Sequence, residues 1–164
     1  MKRIWAPWRM KYIKGGACRG KECFLCRMAA AQDNGPDNLV LLRTGLSLVV
    51  MNRFPYTNGH LLVAPLRHVA WLEDMTLPER TEMTELTVKG LRILKQHVQP
   101  QGFNVGLNLG SAAGAGLAGH VHQHLVPRWD GDTNFMPVLG ETRVIPQSLP
   151  DLWKQLKPAF ATAR

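Results

Sequence analysis

Histidine occupies every second position in His120-Val121-His122-Gln123-His124, at the head of a run that continues Leu125-Val126-Pro127-Arg128-Trp129 and holds three of the chain's six histidines. In a β-strand successive side chains point to opposite faces, so His120, His122 and His124 share one face. On an α-helix each two-residue step turns by about 200°, which scatters them. Only extended backbone makes a cluster of this spacing, and a strand is expected here. Val121 and Leu125 support it, and Pro127 is expected to end it.

The preceding stretch, Gly106 to Gly119, is rich in glycine and alanine and nearly free of side-chain bulk. Glycine permits the positive φ values that turn backbone N–H groups into concave anion-binding nests. A loop able to cradle phosphate that runs directly into a histidine face suits phosphoryl or nucleotidyl chemistry.

The run His120-Val121-His122-Gln123-His124-Leu125-Val126 resembles the signature of the histidine triad (HIT) superfamily. Asn52-Arg53-Phe54-Pro55-Tyr56-Thr57-Asn58-Gly59-His60-Leu61-Leu62-Val63-Ala64-Pro65 is similar to its second hallmark. The likeness spans about Cys23 to Trp129. Gln123 departs from the pattern, replacing an apolar residue on the strand face opposite the histidines.

The resemblance implies an α+β, HIT-like fold: a five-stranded antiparallel sheet, one long helix and a short C-terminal helix. It also implies a homodimer with a sheet continuous across the interface. The middle histidine, His122, becomes the nucleophile, Asn52 lies near the ribose, and His60 belongs to the nucleotide site. The third histidine is retained, as in hydrolase and phosphorylase branches rather than the uridylyltransferase branch. Many relatives carry a serine, threonine or glutamine just before the triad, where this chain has Gly114-Ala115-Gly116-Leu117. Backbone N–H groups near Gly114 and Gly116 are therefore expected to bind phosphate, with Ser111 or Asn108 able to add a hydroxyl or amide.

Cys23-Phe24-Leu25-Cys26 has the spacing of a zinc knuckle but no second cysteine pair to close it. Some histidine triad proteins complete such a site with histidines, and the matching positions are His68 and His120. Zn2+ on Cys23, Cys26, His68 and His120 is the expected cofactor. The competing reading is two reduced cysteines in an apolar turn. Cys18 has no evident partner, and three cysteines do not suggest a disulfide framework.

A net charge of +8 favours anionic partners such as nucleotides and polyphosphates. Nucleic acid is possible but not favoured. No run approaches the roughly 18 apolar residues of a membrane span, and the cytoplasm is the default. Residues 1–22 are expected to form a basic, aromatic arm, 23–140 the HIT domain, and 141–164 a C-terminal extension packed on it. Ile4 to Ile13 resembles the start of a bacterial branch that includes dinucleoside polyphosphate phosphorylases, and a packing arm without a substrate role is the preferred account of it.

Strands are expected at Leu39–Arg43, Leu46–Met51 and His60–Ala64, as a meander with one face packed and the other available for a site, and a fourth strand is expected at Phe103–Asn108. Thr76 should cap the main helix, with Glu79 closing a capping box and Pro78 in the first turn. Met83, Leu86, Leu91, Leu94 and Val98 form its apolar stripe, and Pro100 and Gly102 end it. His97, in the last turn, is read as structural. A short helix is expected from Asp151 to Ala161.

A neutral imidazole attacks an anionic phosphate without charge repulsion, so His122 is expected to form a nucleotidyl intermediate. His124 can bond phosphate oxygens or the leaving group, and His120 either orients His122 or ligates zinc. The expected activity is cleavage or transfer on a dinucleoside polyphosphate or nucleotide conjugate, with water and phosphate both open as acceptor. Two other readings compete: a metal held by the three triad histidines, and a zinc module that binds nucleotide or RNA without turnover.

Overall fold

A computed structural model describes residues 23–31, 35–133 and 145–162. The expected arm at 1–22, Cys18 included, and residues 134–144 lie outside them. Along the chain come α1 (Phe24–Ala30), β1 (Val40–Arg43), β2 (Ser47–Met51), β3 (Leu61–Pro65), α2 (Leu77–His97), β4 (Gly102–Leu107), a 3-10 turn (Ser111–Ala113), β5 (Gln123–Arg128) and α3 (Leu149–Thr162). All five strands pair antiparallel in the order β1-β2-β3-β5-β4. The α+β architecture is the expected one.

Alternation divides the core. Leu41, Val49, Met51, Leu61, Val63, Val121 and Leu125 face Met83, Leu86, Ile93 and Leu94 of α2 and Leu152, Leu156 and Phe160 of α3. Val40, Leu48, Val50, Leu62 and Ala64 face the other way, onto Leu25 and Met28 of α1 and onto Leu117. Strands β2 and β3 are thus buried on both faces. The expectation of one open face is corrected: α1 covers much of it, and the site occupies what α1 leaves. Cys26 lies on this helix and Cys23 is its N-cap, rather than both lying in a turn.

Helix α2 starts as expected. The Thr76 side chain accepts from the Glu79 N–H, and the Glu79 carboxylate accepts from the Thr76 N–H. The buried stripe also includes Gly90 and Ile93. The helix stops at His97, before Pro100 and Gly102. Helix α3 closes one sheet edge: Trp153 Nε1 donates to the Val40 carbonyl at 3.2 Å, and Lys157 Nζ to the Leu41 carbonyl at 2.9 Å. Strand β4, at the other edge, has Asn104, Val105 and Gly106 exposed. No helix among the described residues is long and apolar enough to cross a membrane.

The triad departs from expectation in one respect. Hydrogen-bonded strand begins at Gln123, so only His124 lies within β5, while His120 to His122 form its entry. Pro127 lies inside β5, opposite Phe103. Pairing with β3 reaches only Leu125, so Pro127 has no β3 neighbour that needs its missing N–H.

Candidate active site

Val121 and Leu125 enter the helix-side core, so the intervening His122 and His124, with His120, point to the opposite side. The His122 and His124 rings lie 5.0 Å apart between centroids. His120 and His122 are buried and His124 half-buried.

Hydrogen bonds assign the ring protons. His122 Nδ1 is 2.8 Å from the His120 carbonyl, which can only accept. Its proton is therefore on Nδ1, and Nε2 carries the lone pair. Register then brings in His60: Leu62 pairs with His124, and His60, two residues before Leu62, projects to the same face. His60 Nδ1 receives the Tyr56 N–H at 3.1 Å and faces Asn52 Nδ2 at 3.3 Å. Its proton therefore sits on Nε2, 2.9 Å from His124 Nδ1. That contact leaves the His124 proton on Nε2. Tyr56 stacks parallel to His124 at 6.0 Å and tilted against His60 at 4.6 Å. Asn52 Oδ1 accepts from the Phe54 N–H at 2.9 Å, fixing the turn.

Burial lowers the pKa of all three triad histidines, and His124 falls to about 4, with the neighbouring His122 adding to the effect. The rings are neutral at pH 7.

Asn108 lies one residue past β4, whose Leu107 pairs with Gln123 beside His122. In the loop, Gly114 has φ +85° and Gly110 has φ +77°, whereas Gly116 is not among the positive-φ glycines. Gly110, which was not singled out, also abuts Trp71: an added Cβ would lie 3.3 Å from the Trp71 ring.

Cys23, Cys26, His68 and His120 converge, with their ligand atoms all within 4.8 Å of one another. His120 Nδ1 is 3.2 Å from Cys23 Sγ, and His68 Nδ1 is 3.2 Å from Cys26 Sγ. Sulfur and nitrogen on one tetrahedral zinc-sized ion would be about 3.6 Å apart, so the cluster fits a metal with small adjustment. The His120 Nε2–H meets the Pro65 carbonyl at 2.9 Å, which leaves Nδ1 as the ligating lone pair. Burial, with Cys23 beside it, pushes the Cys26 thiol up to about 11. Coordination would reverse this and release its proton. His120 turns Nδ1 to the cysteines and Nε2 to the Pro65 carbonyl, away from His122 and His124, which weighs against the three-histidine reading.

Sequence reasoning missed Arg67. Its guanidinium donates to Glu79 Oε1 at 2.9 Å and Oε2 at 2.8 Å, tying the segment that bears His68 to the start of α2. Nothing in the local pattern marks such a long-range pair.

The HIT domain family model matches residues 34–131. The chain is 40% identical over 166 residues to a Mycobacterium tuberculosis (strain CDC 1551 / Oshkosh) protein named AP-4-A phosphorylase, covering 98% of this chain and 85% of that protein. It is 34% identical over 93 residues to the Schizosaccharomyces pombe bis(5'-nucleosyl)-tetraphosphatase (asymmetrical), covering 57% of this chain and 50% of that one. A Zn-bound histidine triad family protein from Mycobacterium smegmatis superposes with a TM-score of 0.68 at 25% identity, over 85% of this chain and 94% of that chain. With the triad, the Asn52–Pro65 segment and the sheet all in agreement, the chain belongs to the HIT domain family.

Proposed function

We propose that the protein cleaves dinucleoside polyphosphates by way of a nucleotidyl group on His122, with phosphate as the acceptor. The observation that carries this reading is the bond from His122 Nδ1–H to the His120 carbonyl, which leaves the neutral ring's lone pair on Nε2. Nε2 attacks the α-phosphorus, forming a P–N bond as the P–O bond to the departing phosphate chain breaks. The leaving oxygen takes the electron pair and is protonated from His124 Nε2–H. A phosphate oxygen then attacks the same phosphorus, the P–N bond breaks, and His122 recovers its lone pair while His124 regains a proton from the acceptor.

Asn52 and His60 belong to the nucleotide site in this reading, Asn52 near the ribose. The Gly114 N–H is already given to the Ser111 carbonyl at 3.0 Å, so the N–H groups after it, at Gly116, with Asn108, stabilise charge on the phosphorane. The loop's tight turns at Gly110 and Gly114 support a backbone nest, and place Gly110 beside the two glycines already named. Likeness over nearly the whole chain to an AP-4-A phosphorylase supports phosphate as acceptor. The shorter likeness to a tetraphosphatase favours the second reading, the same intermediate discharged by water.

The cofactor is structural Zn2+ on Cys23, Cys26, His68 and His120, supported by the convergent soft donors and the zinc-bound relative. When bound, the ion holds α1 against the sheet. The protein is a homodimer joined through β4, supported by the exposed edge at Asn104–Gly106, where β1 is already capped by α3. The division into arm (1–22), HIT domain (23–140) and C-terminal extension (141–164) is retained.

Product analysis with diadenosine tetraphosphate, with and without phosphate, tests the reaction. Phosphate-dependent ADP plus ATP supports phosphorolysis, and AMP plus ATP in either buffer supports the hydrolytic reading. No cleavage in either buffer refutes both and leaves the non-catalytic binding module.

A further inference from the structure

His120 makes two sets of contacts at once, and the peptide that follows it joins them. Its ring is held at both ends: Nδ1 lies 3.2 Å from Cys23 Sγ and 3.5 Å from Cys26 Sγ, and Nε2 donates to the Pro65 carbonyl at 2.9 Å. The peptide unit between His120 and Val121 is planar, with its N–H and C=O pointing in opposite directions. Its N–H bonds to the Val69 carbonyl at 2.7 Å. Its C=O takes the His122 Nδ1 proton at 2.8 Å. Val69 follows His68 directly, and the His68 and His120 rings meet edge-on at 5.1 Å. Both histidines of the metal cluster therefore flank the one peptide whose carbonyl sets the proton on His122. His120 is fully buried and His122 nearly so, which leaves little water to replace that carbonyl.

We propose that the Cys23–Cys26–His68–His120 cluster is a positioning device for the nucleophile: metal occupancy fixes the His120–Val121 peptide, and that peptide fixes the tautomer and ring direction of His122. The sequence reading left His120 either orienting His122 or ligating a metal, whereas here it does the first by doing the second. His120 is thus a positioning residue acting through its carbonyl. Releasing the ligands removes one of the two holds on the His120 ring and loosens the His68–Val69 segment, so the carbonyl is left with only the Pro65 and Val69 hydrogen bonds to place it. An outer-shell partner of this kind changes activity by roughly tenfold to a hundredfold when lost.

This inference rests on His122 as nucleophile, and the test separates the two. Nitrogen-15-labelled protein is compared zinc-loaded and chelator-treated, with circular dichroism to confirm the fold. Long-range proton–nitrogen correlation spectra read which His122 nitrogen carries the proton, and His122→Ala identifies the signal. The expected result is a single Nδ1–H tautomer in the zinc-loaded protein and a mixture in the metal-free protein. In parallel kcat falls roughly tenfold to a hundredfold, with KM for diadenosine tetraphosphate within about threefold. Cys26→Ser should behave as metal-free, and Cys26→His, which keeps a ligand, should recover the single tautomer. A folded metal-free protein with the same tautomer and the same kcat overturns the proposal and leaves a fold staple. Should the metal-free chain unfold, the spectrum is taken on cadmium-loaded protein, whose longer metal–ligand bonds must shift His120. A His122 signal and kcat unchanged there overturn it equally. Turnover by His122→Ala removes the nucleophile reading but leaves the tautomer result standing.

Discussion

His60→Ala removes a side chain that is 1% exposed and serves the Tyr56 N–H and His124 Nδ1 in two close bonds, besides the longer 3.3 Å contact with Asn52 Nδ2. Each hydrogen bond contributes about 1 kcal/mol net, and the cavity adds to the loss, so stability should fall by about 2–3 kcal/mol. For a chain of this size that lowers Tm by roughly 4–12 °C. The catalytic effect is separate. Without the His60 Nε2–H, nothing holds the His124 proton on Nε2, where the leaving oxygen needs it. A preference of about 1 kcal/mol corresponds to about fivefold in kcat, and complete loss of the general acid to about a hundredfold. His60→Gln supplies both an amide donor and a carbonyl acceptor, so its kcat should stay within about threefold of wild type. The assay is steady-state cleavage of diadenosine tetraphosphate at 25 °C, beside thermal melts. A folded His60→Ala protein with wild-type kcat would refute the relay, and so would an equal loss in both variants.

Acid titration should separate two groups. Burial, then His122, holds His124 down at about 4 from an ordinary 6.5, so the unfolded chain takes up that proton first. Stability from this group is full above pH 6.5 and is lost between 6.5 and about 4, and denaturant midpoints of zinc-saturated protein should show a shallower slope in His124→Gln. The Arg67 guanidinium, aided by Thr76, holds the Glu79 carboxyl at about 2 instead of 4.5, so its contribution persists to about pH 4.5 and disappears toward 2. Glu79→Gln should abolish that second acid phase in circular dichroism. Val105→Lys, on the exposed β4 edge, should turn the dimer into a monomer in light scattering without loss of fold; an unchanged dimer would move the interface elsewhere.

Some of this was legible in the chain because the relevant signals are local. Alternation alone placed His120, His122 and His124 on one side, and it holds even though hydrogen-bonded strand begins only at Gln123. Thr76-Leu77-Pro78-Glu79 specified the start of α2 because both halves of the cap lie within one turn. Helix α1 was not legible. Seven residues are too few to be helical on propensity, and Leu25 and Met28 hold it only by packing on the sheet. The His60–His124 contact depends on the register of β3 against β5, which no spacing encodes. Gly110 went unnoticed because a glycine-rich run does not reveal which member must turn; Trp71, 39 positions earlier, decides it.

The most direct test is to mix enzyme with diadenosine tetraphosphate in phosphate-free buffer, quench within one turnover, and digest the protein for mass spectrometry. A single adenylyl group on the peptide containing His122, removed by a phosphate chase and missing in His122→Ala, is the predicted result. Cleavage with no adduct in wild type, or an adduct that survives in His122→Ala, would contradict the covalent mechanism.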